Sequence, residues 1–217
     1  MTGSLNELET LVKRATRGAG LSWGIAEEAG KSARWLASRG FPAGALVLTW
    51  LQQGERVAYR ERVPADPRGT EWKANASFLC PVCTGCVLSD RATAGRLSLP
   101  LRLCEVLCPL LFLPFLEGLS RKLGHPVQVE NPPAGATVLL DAEDGWRGER
   151  LEALGAVPTD LYLRAQPGAR PPRVERFYRV DWDAEEKAGL EAFAHRTFAP
   201  ASIGHQSGAG AGLRDND

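Results

Sequence analysis

The chain has 217 residues, 44% hydrophobic and 24% charged, long enough to bury a substantial core in one large domain or two small, closely packed ones. Its 26 basic and 26 acidic side chains cancel to a formal net charge of zero, and no block of like charge provides the basic face of a nucleic-acid binder. No secretory leader is evident, the apolar run at 106–116 is far shorter than the ~20 residues of a membrane span, and five cysteines do not pair into a disulfide framework. A cytoplasmic protein without a membrane segment is therefore expected.

Taken in order, Ser4-Leu-Asn-Glu7 is a capping box. It opens a helix over 5–16 whose apolar face carries Leu5, Leu8, Leu11, Val12 and Ala15. Gly18-Ala19-Gly20 turns the chain, and Ser22 is the N-cap of a second helix that runs to Gly40. Ala26, Ala29, Gly30, Ala33 and Ala37 recur on one face of it, so another backbone is expected to approach closely there. Glu27, Lys31 and Arg34 occupy the opposite face, Glu27 and Lys31 in the favourable i,i+4 order. Pro42 starts a third helix, to Gly54. Because residues 43–51 are nearly all apolar, it is the expected buried member of a three-helix group.

Residues 55–75, with alternating charges, Pro64, Pro67 and Gly69, read as an exposed loop anchored by Trp72. A cysteine-bearing turn follows at 80–86, and a helix starts near 88–91. The spacing of Leu103, Val106, Leu107, Leu110 and Leu111 predicts a central helix over 101–123, kinked near Pro109 or Pro114. After Gly124 the pattern becomes β-like. Runs at 126–130 and 136–141 form a hairpin around 131–135, and further runs at 160–165 and 173–180 are available to pair with them. Asp183-Ala-Glu-Glu186 caps a last helix, to about His195. The tail, 202–217, is rich in Gly, Ala and Ser and is expected to be mobile or partner-ordered. No repeat is found. The expected fold is α+β: a helical half (1–124) on a small, mainly antiparallel C-terminal sheet (125–201), followed by the tail.

Several of these segments resemble a family of uncharacterised bacterial proteins, a domain of unknown function. The resemblance rests on Ser4-Leu-Asn-Glu7, Arg17-Gly-Ala-Gly20, Gly24-Ile-Ala-Glu-Glu-Ala29 and Trp35-Leu36. It continues weakly at 88–90 and 110–116 and returns at 196–202 and 208–217. It implies no catalytic residue.

Two constellations invite functional readings. Cys80-Pro-Val-Cys83-Thr-Gly-Cys86, with Cys104 and Cys108 one helical turn apart downstream, offers thiolates for zinc or an iron–sulfur cluster. The apolar neighbours Phe78, Leu79, Val82, Val87 and Leu88 favour buried structural thiols instead, and a reactive cysteine is the third alternative. No cofactor is expected. The second constellation is an anion site at the glycine turn, where free N–H groups of Gly18 and Gly20 at a helix start, with Arg14 and Arg17, suit a phosphate or carboxylate. A tight corner between helices explains the same glycines. Glu27 and Glu28 point about 100° apart and do not form an acid–base pair. No histidine pair, nucleophile elbow or dinucleotide fingerprint is present, and Gly208-Ala-Gly-Ala-Gly212 follows no strand.

The preferred functional reading is a non-catalytic accessory or binding protein that docks a partner through its helical half. The alternative is a small enzyme or ligand-binding domain that takes an anionic metabolite in a cleft between the halves, its polar groups drawn from Arg17, Glu28, Asp90 and the tail carboxylates. A polar pocket lined by those residues favours the second; an exposed apolar patch favours the first.

Overall fold

The first helix begins where its capping box predicts. In the computed structural model, which describes residues 2–75, 78–143 and 145–197, the Ser4 hydroxyl accepts the Glu7 amide at 3.1 Å and the Glu7 carboxylate accepts the Ser4 amide at 2.6 Å. A short strand β1 (Thr2–Ser4) thus leads into α1 (Leu5–Gly18), and α2 (Trp23–Ala37) and α3 (Ala43–Gly54) follow. On α2 the small-residue stripe is covered: Ala26, Ala29 and Ala33 are fully buried and Ala37 nearly so. Lys31 pairs with Glu28 at 2.6 Å, three residues back, rather than with Glu27.

Beyond α3 the expected loop contains a 3-10 turn (Tyr59–Glu61) and ends in β2 (Glu71–Trp72), with the Trp72 ring fully buried. Next comes α4 (Pro81–Thr93). It starts well before the expected position near 88, because Cys80 serves as N-cap and Pro81 occupies the first turn, where its missing N–H costs nothing.

The expected central helix over 101–123 is corrected. Its first part is β3 (Leu101–Val106), then come a 3-10 turn (Pro109–Phe112) and α5 (Leu113–Leu123). Leu103 and Val106 stand at a helix-like interval because a bulge shifts the register between them. Left-handed backbone at Glu105 (φ 53°) and Cys108 (φ 46°) breaks the segment. Pro114 lies in the first turn of α5 and starts that helix instead of kinking one.

The C-terminal half supplies β4 (Val127–Asn131), β5 (Ala136–Leu140), β6 (Trp146–Glu149), β7 (Thr159–Ala165), β8 (Arg179–Asp181) and α6 (Ala184–His195). The main sheet runs β2-β3-β7-β4-β5-β6; β2 pairs parallel with β3 and the other pairs are antiparallel. The β4–β5 hairpin matches its expected bounds closely. Of the run at 173–180, only its end becomes a strand: β8 leaves the main sheet and pairs with β1, while Arg173 makes a single bridge to Gly145. Helical and sheet residues share one core, which joins Leu8, Val47 and Trp50 to Leu103, Val129 and Leu161. The fold is α+β, with helices at the N-terminal side and a mostly antiparallel six-stranded sheet. Residues 198–217, including Gly208–Gly212 and the tail carboxylates, lie outside the described residues.

Candidate functional site

The glycine corner is built for packing. A Cβ on Gly18 would stand 1.7 Å from the carbonyl oxygen of Phe193 on α6, so α1 and α6 touch backbone to backbone there. Gly20 holds φ at +86°, a left-handed turn that glycine adopts without a steric penalty. The Arg17 guanidinium donates to the Leu21 carbonyl and lies 4.8 Å over the Trp23 ring, which ties the corner to itself. Arg14, almost a turn earlier, lines a different recess of about 570 Å³ between α1 and α6, where Glu7 and Glu191 oppose Arg14 and Lys187. Glu28 is engaged with Lys31, and Asp90 is exposed on α4. Both carboxylates act on Cys86, whose thiol is pushed up to about 12 by burial and then by Glu28. The residues proposed for one anion site thus fall into separate groups: Arg14 in the α1–α6 recess, Arg17 at the glycine corner, and Glu28 with Asp90 around Cys86.

The cysteines also separate. Cys104 lies on β3 and Cys108 on the left-handed turn after it, so they are not a helical pair. Burial pushes Cys108 up to about 12. Among the described residues no group of three or more His, Cys, Asp or Glu side chains is placed to hold a metal ion. Cys80 and Cys83 do stay together at the start of α4, where the Cys83 amide donates to the Cys80 sulfur at 3.5 Å. Burial of Cys80 opposes ionisation, but contacts from Cys83, the Arg62 charge and the Trp50 indole outweigh it and lower this thiol to about 7. Cys83 moves the other way, raised by its contact with Cys80 and by burial. The Tyr59 hydroxyl is pushed up to about 12 by burial and by the same cysteines.

A groove of about 310 Å³ lies between α2, α5 and residues 176–178. Its floor is polar and tightly connected. Glu117 accepts the Trp35 indole N–H at 2.6 Å and the Arg39 guanidinium at 2.9 Å, and that guanidinium sits 3.8 Å over the Trp35 ring. The Phe177 amide donates to the Ser38 carbonyl at 2.7 Å, which pins the rim to the end of α2. Phe177 and Tyr178 nevertheless remain 56% and 81% exposed. Lys31, Arg34, Arg39 and Arg176 line the groove against one carboxylate, Glu117.

Sequence reading missed the groove and the surroundings of Cys80. Adjacent Phe177 and Tyr178 carried a signal, since neighbours on a strand face opposite ways and one of them has to leave a one-sided core. Arg62 and Trp50 carried none, because only the tertiary fold brings them to α4.

The architecture defines an α+β protein with an N-terminal helical platform. Residues 3–70, which include α1 to α3, match the family described as "Protein of unknown function (DUF3726)". No curated protein matches the chain. No solved structure matches it. Among the described residues no helix is long and apolar enough to cross a membrane.

Proposed function

We propose that this is a non-catalytic accessory or binding protein that docks a protein partner through its helical half, at the groove between α2 and residues 176–178. The exposed Phe177–Tyr178 pair beside a cation-rich groove carries this reading. The Phe177 ring rests against Gly40 but stays more than half exposed, and Tyr178 is more exposed still; a partner that covers them recovers solvation free energy, and aromatic residues are enriched among those that dominate binding. Lys31, Arg34, Arg39 and Arg176 line the groove, and although Lys31, Arg34 and Arg39 already pair with Glu28, Glu9 and Glu117, a segment bearing Asp or Glu beside apolar side chains suits this rim. The proposed setting is the cytoplasm, without a bound cofactor.

The second reading, a small anionic metabolite held between the halves, is favoured by the same cations, because the groove is shared by α2, α5 and the C-terminal segment. Panning random peptides against the protein separates the two. Enrichment of acidic sequences with aromatic residues, bound at least tenfold more weakly by a Phe177→Ala/Tyr178→Ala variant that melts normally, is expected. Enriched peptides that ignore the double substitution contradict the docking reading. Displacement of bound peptide by millimolar phosphate or citrate supports the metabolite.

A further inference from the structure

A buried guanidinium needs an anion, since an unpaired charge in a protein interior is strongly disfavoured. Arg62 is only 6% exposed. Its Nε has no hydrogen-bond partner, and no carboxylate among the described residues pairs with it. The guanidinium runs so close to the end of α3 that a Cβ on Gly54 would stand 2.2 Å from its Nη1. The Arg62 backbone carbonyl accepts the Cys80 amide at 2.8 Å, which holds the residue beside Cys80, and its charge favours the ionised form of that sulfur. The fully buried Trp50 indole N–H likewise lacks a hydrogen-bond partner. With the Cys83 amide donating at 3.5 Å and the N-terminal end of α4 behind it, one sulfur collects a neighbouring cation, an N–H donor and a helix dipole. Those are the surroundings of a thiolate. Cys83 follows one helical turn later, and a turn of about 5 Å falls within the Cα separation that a disulfide spans.

We propose that Cys80 and Cys83 form a redox pair: the Cys80 thiolate, held by Arg62, attacks hydrogen peroxide, and Cys83 closes the product to a disulfide. The oxidant is small because Cys80 is fully buried and Cys83 only 1% exposed, with Tyr59 against the pair; a bulky disulfide substrate has no approach. In the first step a sulfur lone pair attacks one peroxide oxygen. The O–O bond breaks, and its electron pair leaves as hydroxide, which takes a proton to become water. In the second step Cys83 loses its proton and its sulfur attacks the Cys80 sulfenic sulfur. The S–O bond breaks, and the departing hydroxide carries that proton away as a second water. Two thiols have been oxidised to one disulfide, and the peroxide has been reduced to two waters. A low-molecular-weight dithiol restores the pair by thiol–disulfide exchange. Arg62 is a positioning residue, acting through the charge it stabilises on Cys80.

The test treats the reduced full-length protein with hydrogen peroxide and maps the products by mass spectrometry after digestion. One disulfide, Cys80–Cys83, is expected. Cys83→Ser is expected to stop at a sulfenic acid on Cys80, trapped by dimedone, and Cys80→Ser to leave Cys83 reduced. Arg62→Met is expected to slow oxidation about tenfold at neutral pH and to move the midpoint of the pH–rate profile upward by about one unit, with Arg62→Lys restoring most of both. Loosened packing alone would speed oxidation, so the slower rate and shifted midpoint report the charge. Both thiols surviving peroxide in the folded wild type, a disulfide between any other pair, or an Arg62→Met rate and midpoint equal to wild type would each overturn the proposal.

Discussion

Cys80 shows how strongly one position can be reset by its neighbours. A cysteine ordinarily ionises near 9.0, and here burial is outweighed so that the thiol falls to about 7. An acid whose pKa is lower in the fold stabilises the fold where it is ionised. Its contribution is complete above the unfolded value, fades as pH falls through the interval between the two values, and is gone below the folded one. Cys83, Cys86 and Cys108 have raised values, so ionisation of the unfolded chain erodes their contribution only above that interval. Thermal melts of the reduced protein and of Cys80→Ala should therefore diverge as pH rises from about 6.5 to 9, with wild type gaining relative to the variant. A constant offset across that range would mean that Cys80 stays protonated in the fold.

At the scale of elements, legibility followed the locality of the signal. The bounds of α1, the alanine stripe of α2, the β4–β5 hairpin and the Asp183 cap were readable because caps, small-residue periodicity and turn chemistry act within a few residues. Residues 101–123 were not. A bulged strand that carries Leu103 and Val106, followed by a 3-10 turn, presents apolar residues at intervals close to those of a helix, and only pairing with β7 decides the matter. The start of α4 was missed because cysteine is an uncommon N-cap. Short β1 and β8 depend on each other across the chain and carry no local pattern. The covered stripe of α2 makes a direct prediction: Ala33 is fully buried, so Ala33→Leu should lower unfolding stability by ~1–3 kcal/mol through overpacking. Chemical denaturation checks it, and a loss below ~0.5 kcal/mol, as on an exposed helix face, would show the stripe to be uncovered.

For the whole molecule, α5 is tied to the end of α2 through Glu117, which accepts from both Trp35 of α2 and Arg39 just beyond it. That junction positions the groove, and its aromatic rim comes from the segment leading into β8 rather than from the helices. The candidate anion residues were individually visible in the sequence, but once the chain folds Arg14 lines one recess and Arg17 closes the glycine corner, while Glu28 and Asp90 lie around Cys86. Phe177 and Tyr178 were visible too, as part of an expected strand. Their role depends on the Phe177–Ser38 backbone bond that carries the segment across the end of α2, a long-range contact with no local signature.

The docking account is tested most directly by following the Trp35 indole N–H resonance by NMR while an enriched acidic–aromatic peptide is added. The account predicts that this resonance shifts saturably, that the affinity falls as salt is raised, and that Phe177→Ala/Tyr178→Ala weakens binding at least tenfold without altering the fold. A Trp35 resonance that stays in place while the peptide binds, with the double variant binding as well as wild type, would contradict it.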